Sequence, residues 1–327
     1  MKTLRFFGMA LFAVLMCVNF ASCSNEEVIS AEPQKGKEIV VSLSLKGEYE
    51  VSESPLSRAA SNDLYYIWAT DKTNSSTKYA VGLFNDVSTL NITLIEGNTY
   101  RFDAMIIKDG MTKLAQTEGV FGKPFSNIAL NTEGFTYSNN WEQPDYTEFK
   151  LTDGNTYGIP NLDIWQGGIT QDYVATEGED VTIQTVRASF GAKFVAKNLT
   201  EGSLKVSLRG TGVGANNGMT MDSPTFELTQ EYENTDQIFL MPMLETSTTQ
   251  SRMVYATLSV ICTWVKANGD EVELGSPTIT FERNKKTTIY IKVVPDVENG
   301  ITFTTTDSEE MGDGGTYNVE DGTATVA

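Results

Sequence analysis

The chain has 327 residues, of which 40% are hydrophobic, and a formal net charge of −19. This length fits two domains of ordinary size, and the hydrophobic content excludes a wholly disordered chain. Its acidity disfavours nucleic-acid partners. The sequence contains no histidine, which removes the usual general base, the usual zinc ligand and every His-based catalytic dyad or triad. We therefore expect no enzymatic activity, no cofactor and no metal site.

The N-terminus has the features of an export signal. Lys2 and Arg5 precede the apolar run Phe6–Phe20, and small residues come directly before Cys23. This pattern predicts a signal peptide over 1–22, and the cysteine after it looks like a bacterial lipobox. We expect acyl chains, palmitate among them, on Cys23 and a surface-exposed lipoprotein of the outer membrane. The alternatives are an ordinary signal peptide with a chance cysteine, or an uncleaved membrane helix, for which the run is somewhat short.

After a polar tether over 23–37, the first predicted strand alternates strictly. One face carries Ile39, Val41, Leu43 and Leu45, and the other carries serine and lysine. A period of two is typical of a half-buried strand. A polar loop follows to about residue 63, and it contains Arg58.

Further alternating segments with turn signals between them predict an N-terminal β-sandwich domain over 38–178. The segments are Tyr79–Leu83, Ile92–Leu94 and Tyr100–Ile106. Residues 119–170 are rich in glycine, asparagine and aromatic side chains, including Trp141 and Trp165. These rings are either a surface that contacts carbohydrate or, as we favour, anchors that pin large loops onto the sandwich.

A glycine- and glutamate-rich break at 176–180 marks the predicted boundary of a C-terminal β-sandwich domain over 179–327. Alternation changes phase after Ile183, which predicts a β-bulge or a bend near Gln184–Thr185. The strands predicted beyond it are Leu204–Leu208, Gln237–Met241, Met253–Lys266 and Thr287–Val294, followed by a tail from Gly300.

Few residues in this body point to chemistry. Cys262 lies on an alternating apolar face, as a buried small hydrophobe would, and no histidine could activate it. The acidic residues of 307–315 could hold calcium but read better as solvated turns. The glycines of 210–214 lack the lysine and helix of a phosphate loop. Two carboxylates of a glycosidase have no fixed spacing, so that class stays open without positive support.

Several of these pieces together resemble the fimbrillin family, the lipoprotein pilus subunits of anaerobic bacteria. The resemblance covers most of the chain after the leader. It rests on the lipobox at Cys23, the strand Ile39–Leu45, Ser54–Ala60 with its arginine, Tyr79–Phe84, Gly97–Phe102, Val186–Gly191, and Phe281–Lys285 before the strand Thr287–Val294.

The resemblance implies two tandem transthyretin-like antiparallel β-sandwich domains and assembly by strand exchange. In that family a trypsin-like protease cuts after an arginine in the loop behind the first strand, here between Arg58 and Ala59. The displaced strand would carry Ile39, Val41, Leu43 and Leu45. The donor would come from the C-terminal segment, with Ile301, Phe303 and Val326. An open edge beside an apolar groove is, on physical grounds alone, a template for strand addition.

The sequence thus favours a fimbrial subunit or fimbria-associated adhesin. Its partners would be like subunits or other fimbrial subunits, with the outer membrane reached through Cys23. The alternative is a monomeric surface lipoprotein that binds a glycan or a host protein through its aromatic loops.

Overall fold

The computed structural model describes residues 36–47, 62–87, 90–211, 220–232, 234–245, 250–252, 255–293, 301–307, 317–320 and 323–326. The described residues from Lys37 onward cluster into one compact unit. They are almost entirely strands, and one helix of four residues is found among them. The predicted all-β, sandwich-like class is therefore confirmed.

The elements of the first half are β1 Glu38–Gly47, β2 Leu64–Asp71, β3 Thr77–Phe84, β4 Leu90–Ile95, β5 Thr99–Ile107, α1 Gly110–Lys113, β6 Gln116–Thr117, β7 Val120–Phe121, β8 Ile128–Ala129, β9 Thr136–Tyr137, β10 Phe149–Lys150, β11 Thr156–Tyr157, β12 Ile164–Gly168, β13 Tyr173–Val174 and β14 Asp180–Arg187. The first sheet has the order β4-β1-β14-β12-β5-β2-β3-β9, and β13 also pairs with β5. The side chains on its concave face form what we call the first core, which includes Val41, Ile67, Ile92, Phe102 and Ile183.

The opposite face of the same sheet is covered by the long connections between β5 and β12. Side chains of β2, β3 and β5 meet buried rings from these connections in a second cluster, the loop core, whose members include Tyr66, Trp68, Phe121, Phe125, Trp141, Tyr146 and Phe149. Because β2 is covered on both faces, its sequence is apolar on both, and it lacks the alternation by which the other strands are recognised. The sequence analysis missed this strand.

The elements of the second half are β15 Ser189–Lys197, β16 Ser203–Thr211, β17 Thr220–Asp222, β18 Phe226–Leu228, β19 Asn234–Leu240, β20 Met243–Glu245, β21 Gln250–Arg252, β22 Tyr255–Val265, β23 Glu271–Gly275, β24 Thr278–Glu282, β25 Lys286–Val293, β26 Ile301–Asp307, β27 Tyr317–Glu320 and β28 Thr323–Val326. One sheet has the order β19-β15-β25-β26-β27-β28, and the other is built on β16 and β22. Their inward side chains share one apolar core, with Phe190, Phe194 and Ile289 from the first sheet and Val206, Leu258 and Phe281 from the second.

Two strand pairs, one in each half, depart from the antiparallel pairing of the other strands. Strand β1 runs parallel to β14, and β15 runs parallel to β25. In both pairs, residues far apart in the chain lie side by side. A long connection between the two strands of each pair makes the parallel arrangement possible.

The predicted domain boundary at 178/179 also needs correction. Strand β14 lies beyond it, yet β14 pairs with β1 and β12, and Val181 and Ile183 belong to the first core. The chain changes sheets at Ala188, between β14 and β15. The bulge predicted near Gln184–Thr185 is absent: Thr185 stays on the buried face, and the hydrophobic phase changes at the crossing between sheets instead.

The junction between the halves is built from segment 159–164. Ile159 enters the core of the second half, while Leu162 and Ile164 belong to the loop core. Asn161 accepts a hydrogen bond from the backbone N–H of Ile238 on β19, at 3.1 Å. Since backbone and side chains of one segment serve both halves, the two are held in a fixed relation within the compact unit.

Candidate strand-exchange site

Strand β1 lies between β4 and β14 and joins them. Residues 38–43 pair antiparallel with β4, and residues 42–47 pair parallel with β14, so the two ladders overlap by only two residues. In the order of the first sheet, β4 and β14 have β1 between them and do not pair with each other. The backbone pairing of β4 with the rest of this sheet therefore passes through β1.

The inward face of β1 is buried as the sequence predicts. Ile39, Val41, Leu43 and Leu45 are all members of the first core. Between these side chains, Val40 points outward and is 65% exposed. Full burial of an aliphatic side chain contributes about 1.5–3 kcal/mol, so the four inward residues are the main hold on the strand.

Removal of β1 would leave a defined apolar slot. Its floor and walls would include Leu90, Ile92 and Leu94 of β4 and Val181 and Ile183 of β14, which lie in register with the inward residues of β1. The inner edges of both flanking strands would lose their backbone partners. Exposed apolar side chains and unpaired backbone groups together favour the entry of another strand.

Three tyrosines close the outer edge of β4, away from β1. The Tyr79 hydroxyl donates to the carbonyl of Thr93 at 2.9 Å, and the N–H of Thr93 donates to the Tyr137 hydroxyl at 2.7 Å. The N–H of Ile95 donates to the Tyr100 hydroxyl at 3.0 Å. Burial raises the pKa of the Tyr79 phenol, which keeps it a hydrogen-bond donor.

These tyrosines form what we call the seam. Tyr79 lies on β3 and Tyr137 on β9, at the opposite end of the first sheet from β4. The sheet therefore curls until its two ends are joined by side-chain hydroxyls. Because the outward backbone groups of Thr93 and Ile95 are already bonded, the seam blocks strand addition at these positions of the β4 edge.

Charged residues meet where β1 begins. Lys37 Nζ lies 2.5 Å from a carboxylate oxygen of Glu177 and 3.5 Å from one of Glu96. The hydrogen bond to Glu177 raises the pKa of Lys37. Glu96 follows β4, and Glu177 precedes β14, so each strand that flanks the slot brings one acid to this end, which we call the mouth.

The other predicted assembly residues fall in different places. Cys23, Arg58 and Ala59 lie outside the described residues. Of the predicted donors, Ile301 and Phe303 belong to β26, which pairs with β25 on one side and β27 on the other. Val326 ends β28, the last strand in the order of its sheet, which pairs with β27. A strand with one neighbour is released more easily, which favours β28 over β26 as a donor.

Most of the large aromatic rings of residues 119–170 are buried, whereas Tyr137 is 49% exposed. Trp141 and Trp165 are 6% and 8% exposed, and Phe121, Phe125 and Tyr146 are buried as well. The ammonium of Lys78 bonds the backbone carbonyl of Trp141 and also lies over its ring, 5.4 Å from the centroid. The interpretation of these rings as loop anchors is confirmed.

Among the remaining candidates from the sequence, a thiol can be placed in the fold. Cys262 is fully buried in the core of the second half, and burial raises the pKa of its thiol. No cluster of three or more Cys, Asp or Glu suited to a metal ion occurs in the part of the chain that is described. A helix with the length and apolarity of a membrane span is likewise not found there.

Comparison with known proteins gives likeness in structure alone. No family model and no curated protein matches the sequence. Among solved structures, a Bacteroides thetaiotaomicron protein described as a candidate polysaccharide-binding protein has 11% identity and a TM-score of 0.43, covering 86% of this chain and 99% of its own.

Two fimbrial proteins of Porphyromonas gingivalis are similar in the same way. The fimbrial anchor protein Mfa2 has 10% identity and a TM-score of 0.40, covering 83% of this chain and 98% of its own. The tip fimbrial protein Mfa3 has 10% identity and a TM-score of 0.33, covering 83% and 99%.

Sequence reasoning found the apolar face of β1 but missed the seam and the mouth. The alternation places Tyr79 and Tyr100 on predicted strands, which gives no sign that their hydroxyls cap a distant edge. Lys37 and Glu177 are 140 positions apart. A pairing over that separation leaves no local mark in the sequence.

Proposed function

We propose that this protein is a fimbria-associated subunit or adhesin that assembles by exchange of its first strand. A cut after Arg58 separates β1 from the rest of the chain, β1 leaves, and a strand of a neighbouring subunit enters the slot. The proposal extends to a lipid anchor on Cys23 that carries the protein on the outer membrane until it is assembled.

The observation that carries this proposal is the position of β1. It is a complete, apolar strand at the start of the described body, and it bridges two strands that do not pair with each other. Its connection to β2, residues 48–61, contains one basic residue, Arg58. A single cut there would leave β1 held by non-covalent contacts alone.

A matched pair of variants tests the proposal. Treatment of the full-length protein with a trypsin-like protease should give polymers, visible as a ladder on SDS gels without boiling, whose subunits begin at Ala59. We expect Arg58→Ala to stay monomeric and to retain β1, whereas Arg209→Ala, at an exposed arginine elsewhere, polymerises normally. Normal polymers from Arg58→Ala would remove Arg58 from the mechanism. Cut protein that never polymerises and never releases β1 would refute strand exchange.

A further inference from the structure

The mouth of the slot lacks its positive charge once β1 has left. Lys37 lies on the segment that leaves, whereas Glu96 and Glu177 lie on the part that stays. Loss of β1 therefore leaves two carboxylates beside the same vacant position. A strand that brings a positive charge there restores the ion pairs, and one that brings a negative charge adds repulsion.

Resting on the proposed strand exchange, we infer that the slot selects a strand of another subunit with lysine or arginine two positions before its first inward apolar residue. That position is held by Lys37, two residues before Ile39. A strand that places its cation at the mouth in this way runs in the same direction as β1, parallel to β14 and antiparallel to β4.

The chain's own C-terminal segment does not meet this requirement. Residues 294–327 contain eight acidic residues and no lysine or arginine. A copy of this chain that donated this segment would place no cation at the mouth. The occupant that the mouth favours is therefore a strand of a different protein, while copies of this chain can still fill one another's slots when no such strand competes.

The size of the effect sets how the selection acts. Lys37, Glu96 and Glu177 have side-chain exposures of 55%, 40% and 66%. Exposed ion pairs contribute little to binding because water screens both charges, so the mouth adds little affinity. It discriminates between strands that fill the apolar slot equally well, because specificity depends on the difference between competing strands.

Peptide competition on the full-length chain tests the inference. A recognition sequence for a specific protease is placed within residues 48–61, the chain is cut, and fluorescent peptides compete for the slot. The peptides are residues 36–47, the same peptide with Lys37→Gln or Lys37→Glu, and residues 316–327. A Lys46→Glu peptide makes the same charge change at the other end of the strand.

We expect Lys37→Glu to bind about three- to tenfold more weakly than the native peptide at low salt, with Lys37→Gln between them. Lys46→Glu should change binding less than Lys37→Glu, and residues 316–327 should bind more weakly than residues 36–47. The preference for Lys37 should disappear in a Glu96→Gln/Glu177→Gln protein, whose folding is checked by circular dichroism. It should also shrink at ~1 M salt, where the Debye length is about 3 Å.

The outcomes that would contradict the inference can be told apart from those that would contradict strand exchange itself. Equal binding of the native and Lys37→Glu peptides would overturn charge selection while leaving strand exchange intact. A preference that persists in the Glu96→Gln/Glu177→Gln protein would place its origin elsewhere and overturn the inference. Tight binding of residues 316–327 would identify the chain's own C-terminal segment as the occupant and refute the requirement for a different subunit. If not even the native peptide enters, strand exchange itself is wrong, and this inference fails with it.

Discussion

At the scale of single residues, the most demanding contact is a buried ion pair at the junction between the halves. Arg187 bonds both carboxylate oxygens of Asp163, at 2.9 and 2.5 Å, and their side chains are 19% and 5% exposed. The guanidinium also lies over the ring of Trp165, 5.1 Å from its centroid. A planar, bidentate arrangement of this kind favours arginine over lysine.

Arg187→Ala should therefore destabilise the protein strongly, because it leaves the Asp163 carboxylate buried without this partner. We expect a loss of about 3–5 kcal/mol in the free energy of unfolding, measured by urea denaturation. The control is Arg209→Ala, which breaks an ion pair to Asp222 whose side chains are 55% and 51% exposed. That variant should lose less than about 1 kcal/mol. Equal losses of stability in the two variants would show that burial does not determine how much an ion pair contributes.

The seam gives a second prediction at this scale. Tyr79→Phe removes the donor to the Thr93 carbonyl. We expect the free energy of unfolding to fall by about 0.5–1.5 kcal/mol. The control is Tyr232→Phe, because Tyr232 is 67% exposed. This variant should change the stability of the protein little. Hydrogen exchange at residues of β4 would locate the effect. Unchanged protection of β4 in Tyr79→Phe would mean that the seam does not hold this strand.

At the scale of elements, β1 could be predicted from the sequence, and its neighbours could not. Its alternation is clear because one face is buried in the first core and the other is solvated. Strand β2 shows no alternation because both faces are covered. Strand β14 was assigned to the wrong domain because the chain continues from β14 into β15 with only Ala188 between them. The pairing of β1 with β14 depends on tertiary packing, which a local pattern does not record.

Two adjacent valines test the orientation of β1. Val41→Asp places a carboxylate among the apolar side chains of the first core, where Val41 is fully buried. We expect Val41→Asp to lower the free energy of unfolding by more than about 3 kcal/mol, or to release β1 from the sheet. Released β1 would be removed by limited proteolysis even in protein that has not been cut after Arg58. Val40→Asp, on the exposed face, should stay within about 0.5 kcal/mol of the native protein. If Val40→Asp destabilised the protein more than Val41→Asp, the opposite face of β1 would be the buried one.

At the scale of the whole molecule, the proposed anchor and the described body serve different steps. The anchor on Cys23 would hold the protein at the membrane, whereas the slot would hold the next subunit. Both Cys23 and Lys37 precede Arg58, so the cut that releases β1 would also release the lipid. Attachment to the membrane and exchange of the strand would then be coupled through one peptide bond.

This coupling predicts the behaviour of an anchor variant. Cys23→Ser should abolish incorporation of radiolabelled palmitate and release the protein from the membrane fraction. The soluble variant should still fold and still give polymers when it is cut after Arg58, since the slot is unchanged. Persistent acylation in Cys23→Ser would show that the anchor was assigned to the wrong residue. Labelling in cells and fractionation measure both outcomes.

The parallel pairing of β1 with β14 has a consequence for the order of folding. Ser44 and Thr182, whose hydroxyls lie 3.1 Å apart across this pair, are separated by 138 positions. As the chain emerges from the ribosome, β1 comes first and must wait for β14 to arrive. The strand that is synthesised before the others is thus completed after them, and closing so long a loop is slow. During that interval the apolar face of β1 lacks the strand that completes its pairing, and it has to be kept from other apolar partners until β14 arrives.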